Sequence, residues 1–167
     1  MAMVVEALAT RVDAFAAMSA ALTGFKADVI APPAAAPLGA HLLHVIDELA
    51  GATSIDQLLA QFIALQAQGH PAQDIANVML GISPSSHAPA VQLAQSVVKL
   101  WYLGSWYPPG SSSAFNGDVV SSQAYISGLA WRVMQTHAMG DSPFVFGDWT
   151  SPPPSLAAFG ADVAEPV

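Results

Sequence analysis

The residues with the clearest capacity for chemistry are His41, His44, Asp47 and Glu48. Residues three and four apart share a helix face, so a helix through this stretch would gather nitrogen and oxygen donors on one side. Zinc takes such ligands tetrahedrally, and a small metal-dependent enzyme using His41, His44 and Glu48 is one reading of the chain. A tight site also needs three convergent donors and hydrogen bonds that hold them. The alternative is a solvated face carrying a His–carboxylate pair, and that is the expectation here.

A second group, His137, Asp141, Ser151 and Ser155, has the residue types of a hydrolytic triad. No Gly-x-Ser-x-Gly segment accompanies it, so nothing places a serine on the strained strand-to-helix turn that exposes a nucleophile. Serine and histidine in a Pro-rich segment fit turns and caps instead. Neither Gly-x-Gly-x-x-Gly nor Gly-x-x-x-x-Gly-Lys-Ser/Thr occurs, so no nucleotide motif holds a flavin or nicotinamide on this chain. Cysteine is absent, which removes disulfides, thiolate catalysis and thiolate-bound metals. The sequence supports no catalytic role, and no catalytic, cofactor-binding or metal-binding residue is expected on this chain.

The aromatic residues carry more information. Trp101, Tyr102, Trp106 and Tyr107 fall close together, and Trp131, Phe144, Phe146 and Trp149 follow. Trp101 and Trp131 lie in helical periodicity and are expected in the core. Trp106 and Tyr107 stand at a helix exit beside Pro108-Pro109, while Phe144, Phe146 and Trp149 lie on a segment without period. Large aromatics on such segments are the usual anchors of interfaces. Trp106, Tyr107, Phe144, Phe146, Trp149, Pro152 and Pro153 are therefore the expected partner-contact residues.

The elements that must position these residues read as helices in series. Val5, Leu8, Val12, Phe15 and Leu22 make one apolar stripe, stopped by Gly24. Ala31 to Pro37 reads as a linker. Leu38, Leu42, Val45 and Leu49 form the next stripe, closed by Gly51. Ser54 and Gln57 have capping-box spacing before Leu58, Phe62 and Leu65, and Gly69-His70-Pro71 ends that helix. A short piece holds Ile75, Val78 and Met79. Pro89 suits the first turn of a further helix that runs through Val91, Ala94, Val97, Val98 and Trp101 to about Gly104. After a Pro/Gly/Ser loop from Pro108 to Gly117, a last helix should turn Tyr125, Ile126, Leu129, Val133 and Met134 inward. The expected fold is an all-α, irregular helical bundle: a helical domain over 1–139, and a Pro/aromatic-rich docking tail over 140–167.

Composition suits a protomer with a large partner. The 167 residues are 53% hydrophobic and only 10% charged, against about 25% charged in an ordinary soluble domain. Interface cores are depleted in charge in the same way. Twelve acids against 4 bases give a net charge of -8. The bases Arg11, Lys26, Lys99 and Arg132 are scattered, so phosphate counterion displacement has no footing and nucleic acid is not an expected partner. No apolar run approaches the roughly 20 residues that span a bilayer.

Three segments in this order resemble one family. They are Phe15-Ala16-Ala17-Met18-Ser19-Ala20-Ala21-Leu22-Thr23-Gly24; Val98-Lys99-Leu100-Trp101-Tyr102-Leu103-Gly104 with Tyr125-Ile126-Ser127-Gly128-Leu129-Ala130-Trp131; and Phe146-Gly147-Asp148-Trp149-Thr150-Ser151-Pro152-Pro153. Together they are similar to the small subunit of bacterial membrane-bound, FAD-dependent sugar and polyol dehydrogenase complexes (sorbitol, fructose and glucose dehydrogenases). The resemblance implies a non-catalytic chain that supports folding, stability and export of a large subunit. That subunit carries FAD, and a multihaem cytochrome c subunit is a further expected partner. The location it implies is periplasmic, with membrane association through the complex. Two departures bear on this. The chain begins Met1-Ala2-Met3 without a twin-arginine leader, which implies a mature or trimmed form or export with the partner. It also lacks the tail cysteine of some members, so attachment would be non-covalent. The competing reading is a free-standing helical ligand-binding or effector protein with its aromatics around a pocket.

Overall fold

The computed structural model describes residues 2–30, 37–82, 88–111 and 117–140, with side chains from Thr10 in the first span and Leu38 in the second. The fold is all-α and irregular. Helices α1 (Ala2–Thr23), α2 (Ala27–Ile30) and α3 (Pro37–Ile46) come first. A π-helical turn over Asp47–Gly51 leads into α4 (Ala52–Ala67), α5 (Ala72–Met79) and α6 (Pro89–Leu103). A two-stranded antiparallel sheet, β1 (Ser105–Trp106) and β2 (Asp118–Val119), precedes α7 (Ser122–Ile126) and α8 (Leu129–Val133).

α1 is the central element and packs against α2, α3, α4, α5 and α6. Its sequence from Ala14 onward is small or apolar nearly all round, and a helix of that kind belongs in the interior. Phe15, Met18 and Leu22 join Leu42, Ile46, Ile55, Leu58, Met79, Val97, Leu100 and Trp101 in one core. The stop after Thr23 is doubly made. The Thr23 hydroxyl donates to the Ser19 carbonyl at 2.7 Å, and Gly24 continues the chain in a left-handed conformation. The side chains of Val5 and Leu8 lie outside the described ones.

A buried polar contact ties α1 to α6. The Trp101 indole stacks on Phe15 with centroids 6.1 Å apart, and its Nε1–H donates to the Ser19 hydroxyl at 2.9 Å. Both residues are buried, Ser19 fully, so each supplies the partner the other would otherwise lack. A second tie lies at the domain edge. Arg11 grips both carboxylate oxygens of Asp47 at 2.6 and 2.7 Å and donates through Nε to Asp56 at 2.6 Å. This fork fastens α1 to the π turn and to α4, and the guanidinium holds its proton above its already high ordinary value, chiefly through the Asp47 bonds.

Several expected elements stand where the sequence placed them, including the stop at Gly24, the break at Gly69–Pro71, and α6 from Pro89 to a left-handed Gly104. Others need correction. Pro37 opens α3 and is not linker, consistent with its preset φ at a first helical position. Leu49 is 56% exposed. The π turn winds more residues per turn than an α-helix and rotates the apolar face away from position 49, leaving Leu43 and Ile46 as buried positions. Ser54 does not cap: α4 begins at Ala52 after Gly51, whose φ of 85° breaks the helical path, and no side chain caps it. Val78 is 51% exposed, so α5 buries only Ile75, Ala76 and Met79.

The buried indole tie gives a test. Ser19→Ala leaves the Trp101 N–H without its acceptor and is expected to cost about 1–3 kcal/mol in urea unfolding. The same change made in a Trp101→Phe background should cost clearly less, because the donor is already gone. Equal costs in both backgrounds would show that the hydrogen bond contributes nothing.

Candidate interaction face

The four residues of the metal hypothesis are pulled apart. Asp47 gives both oxygens to Arg11. His44 and Glu48 approach to 3.4 Å with side chains 70% and 65% exposed, the solvated i,i+4 pair of the plainer reading. His41 Nε2 is covered and has no hydrogen-bond partner, so it does not join them. Among the described residues, no group of three or more His, Cys, Asp or Glu side chains is placed to hold a metal ion. Of the triad candidates, His137 Nδ1 bonds to the Ala138 carbonyl at 2.9 Å. Asp141, Ser151 and Ser155 lie outside the described residues.

The structure instead builds a platform at the end of α6. Gly104 turns the chain with φ +64°, and a Cβ there would sit 2.5 Å from the backbone of Ala124 and Tyr125. Only glycine allows α7 this close. β1 then pairs with β2 in the register Ser105↔Val119 and Trp106↔Asp118, and Val120 donates to the Gly104 carbonyl at 3.1 Å. The Ser121 hydroxyl accepts from Ala124 N–H and starts α7 as its N-cap. Gly128 separates α7 from α8; a Cβ there would come 2.8 Å from the Tyr102 carbonyl.

This break corrects the expected last helix. Residues 122–133 form two short helices, so the inward face written for one continuous helix is lost. Leu129 is buried, whereas Ile126, Val133 and Met134 are 44%, 46% and 57% exposed. Tyr125 is fixed by Trp131, whose ring meets it edge-on at 5.4 Å and whose Nε1–H donates to the Tyr125 carbonyl at 2.8 Å. On the other side of α6, the Tyr102 hydroxyl donates to the Thr23 carbonyl at 2.9 Å and the ring packs edge-on against Phe25.

Trp106 is also corrected. Its placement in β1 turns the indole into the chain's own core, where it is only 6% exposed, so it is not an exposed anchor. Tyr107 is half-buried beneath Lys99, whose Nζ lies 5.4 Å from the ring centroid. Its ring sits so near Gly117 that a Cβ there would overlap it. Phe144, Phe146, Trp149, Pro152 and Pro153 lie outside the described residues.

What the platform offers is apolar and open. Val119, Ser122, Tyr125, Ile126, Met139 and Gly140 line a groove of about 330 Å³. Val119 and Met139 are 57% and 78% exposed there, and Val133 and Met134, between them in sequence, are also exposed. Among the described residues its lining has no acid or base, and Tyr125 and Ser122 supply a phenol and a hydroxyl beside the apolar side chains. Sequence reasoning missed it, because it read Ile126, Val133 and Met134 as inward; Gly128 was the signal that the helix divides. No family model, curated protein or solved structure matches this chain. No helix among the described residues is long and apolar enough to cross a membrane.

Two variants probe the platform. Gly104→Ala should destabilise the chain by about 2–4 kcal/mol, combining left-handed strain with displacement of α7; a loss below about 1 kcal/mol would contradict the close approach. Burial raises the Tyr102 phenol above its ordinary 10.0. The folded chain thus holds that proton more tightly than the unfolded one. The resulting stability is complete below about pH 10 and is lost as pH rises through the folded-state value. Tyr102→Phe should cost about 0.5–1.5 kcal/mol at neutral pH through its lost hydrogen bond, yet flatten the alkaline decline. An equally steep decline in the variant would remove Tyr102 from the account.

Proposed function

We propose that this chain is a non-catalytic small subunit that binds and stabilises the FAD-bearing large subunit of a sugar or polyol dehydrogenase complex. The observation that carries the partner-binding part is the open groove lined by the exposed Val119, Ile126 and Met139. Monomers rarely keep contiguous apolar surface of this kind in water unless it is used. The face runs up to Gly140, where the sequence passes into the segment bearing Phe144, Phe146, Trp149, Pro152 and Pro153. Face and segment make up the proposed docking surface, and Tyr107 is a further proposed contact residue. The identity of the partner rests on the resemblance of the Phe15–Gly24, Val98–Gly104, Tyr125–Trp131 and Phe146–Pro153 segments to the small subunits of such complexes.

In this reading FAD belongs to the large subunit, and haem c to a multihaem cytochrome subunit of the same periplasmic, membrane-associated assembly. The small subunit contributes area. A standard interface takes about 800 Å² from each partner, and 28 residues of tail from Gly140 to Val167 can add much of that, less the entropy of ordering them.

Charge placed on the face tests the proposal. Ile126→Glu with Met139→Glu alters two exposed side chains, so helical content and melting should be unchanged. The amount of flavoprotein recovered with the tagged small subunit from its own host should fall at least about tenfold, as for a buried interface centre. Full recovery of the flavoprotein would exclude this face. Recovery of no flavoprotein with the unaltered chain, together with saturable binding of a small apolar ligand in the groove, would establish the free-standing binding protein instead.

A further inference from the structure

We infer that Met139 is a modification site for peroxide, and that its sulfoxide closes the groove to an apolar partner. The oxidation concerns the isolated chain; its effect on docking rests on the partner reading proposed above.

The four methionines among the described side chains divide into two pairs. Met18 and Met79 are sealed in the core, whereas Met134 and Met139 are 57% and 78% exposed. Peroxide must reach the thioether sulfur, so oxidation falls on the exposed pair and spares the packed core. The chain has no cysteine, so no thiol competes for the oxidant. Of the two exposed methionines, Met139 lines the groove and Met134 does not.

The lining makes the position selective. Met139 shares it with Val119, Ser122, Tyr125, Ile126 and Gly140. Among these described lining residues, Met139 alone carries a group that hydrogen peroxide attacks by two-electron transfer. The sulfur attacks one peroxide oxygen, the O–O bond breaks and an S–O bond forms. The attacked oxygen gives up its proton to the departing hydroxide, leaving a sulfoxide and one water. The sulfur loses two electrons and the peroxide gains them. The product turns a flexible apolar side chain into a polar one, and reductases that act on methionine sulfoxide restore it.

That change matters at an apolar docking surface, because the new dipole must be desolvated when a partner covers it. The linkage is reciprocal: a partner seated on Met139 shields the sulfur, so oxidation acts on unassembled chains and disfavours their assembly.

Peptide mapping by mass spectrometry, after brief hydrogen peroxide treatment of the folded full-length chain, tests the site directly. Met139 should gain oxygen at least about tenfold faster than Met18 or Met79, with helical content retained. A Met139 that stays reduced, or core methionines oxidised at the same rate, would overturn the inference. The consequence is read by exposing immobilised chain, oxidised or untreated, to a lysate of its own host. Each variant's flavoprotein recovery after oxidation is divided by its own recovery before. This ratio should fall to about one fifth or less for the unaltered chain and for Met134→Leu, as for a buried polar group left without a partner. It should stay near one for Met139→Leu. A ratio near one for the unaltered chain, or an equal fall with Met139→Leu, would overturn the effect on docking. If untreated chain recovers no flavoprotein, the partner reading fails with the docking effect that rests on it, and the peptide map alone decides the modification site.

Discussion

The architecture of the candidate face depends on one steric constraint, the absence of a side chain at Gly104. α6 is locked into the core by Trp101, Leu100 and Val97, so its end is a fixed point. At that point the chain must reverse, and the backbone of Ala124 and Tyr125 passes where a Cβ would stand. The left-handed turn and the close passage together seat α7 against α6. That seating fixes where α7 lies, and the break at Gly128 then directs α8. The rigid part of the molecule thus reaches the apolar face through a few backbone contacts. The Val120–Gly104 hydrogen bond and the Ser121 cap complete them.

Charge is used sparingly, and at Arg11 it joins distant elements. Arg11 engages Asp47 and Asp56 far apart in sequence, and the planar fork of the guanidinium suits a bidentate carboxylate in a way that lysine would not. This accounts for why Asp47 serves the fold, although its spacing from His41 and His44 makes it look like a ligand.

The sequence made helix ends legible where a single residue decides them. Gly24, Pro89 and Gly104 act through local backbone preference, and each stands where that preference puts it. Burial faces were less legible because they depend on winding over many residues. One π turn at Asp47–Gly51 was enough to expose Leu49, and the break at Gly128 was enough to expose Ile126, Val133 and Met134. Trp106 was misread for a related reason. A two-residue strand has too little alternation to announce itself, so its pairing with β2, which turns the indole inward, is visible only in three dimensions.

The account's central claim is that the chain works as part of a larger flavoprotein complex, and native mass spectrometry of the tagged chain purified from its own host tests it most directly. The account predicts a defined complex of this 17.2 kDa chain with a larger subunit, accompanied by the visible absorbance of a flavin. A stable monomer without flavin, recovered under equally gentle conditions, would contradict it.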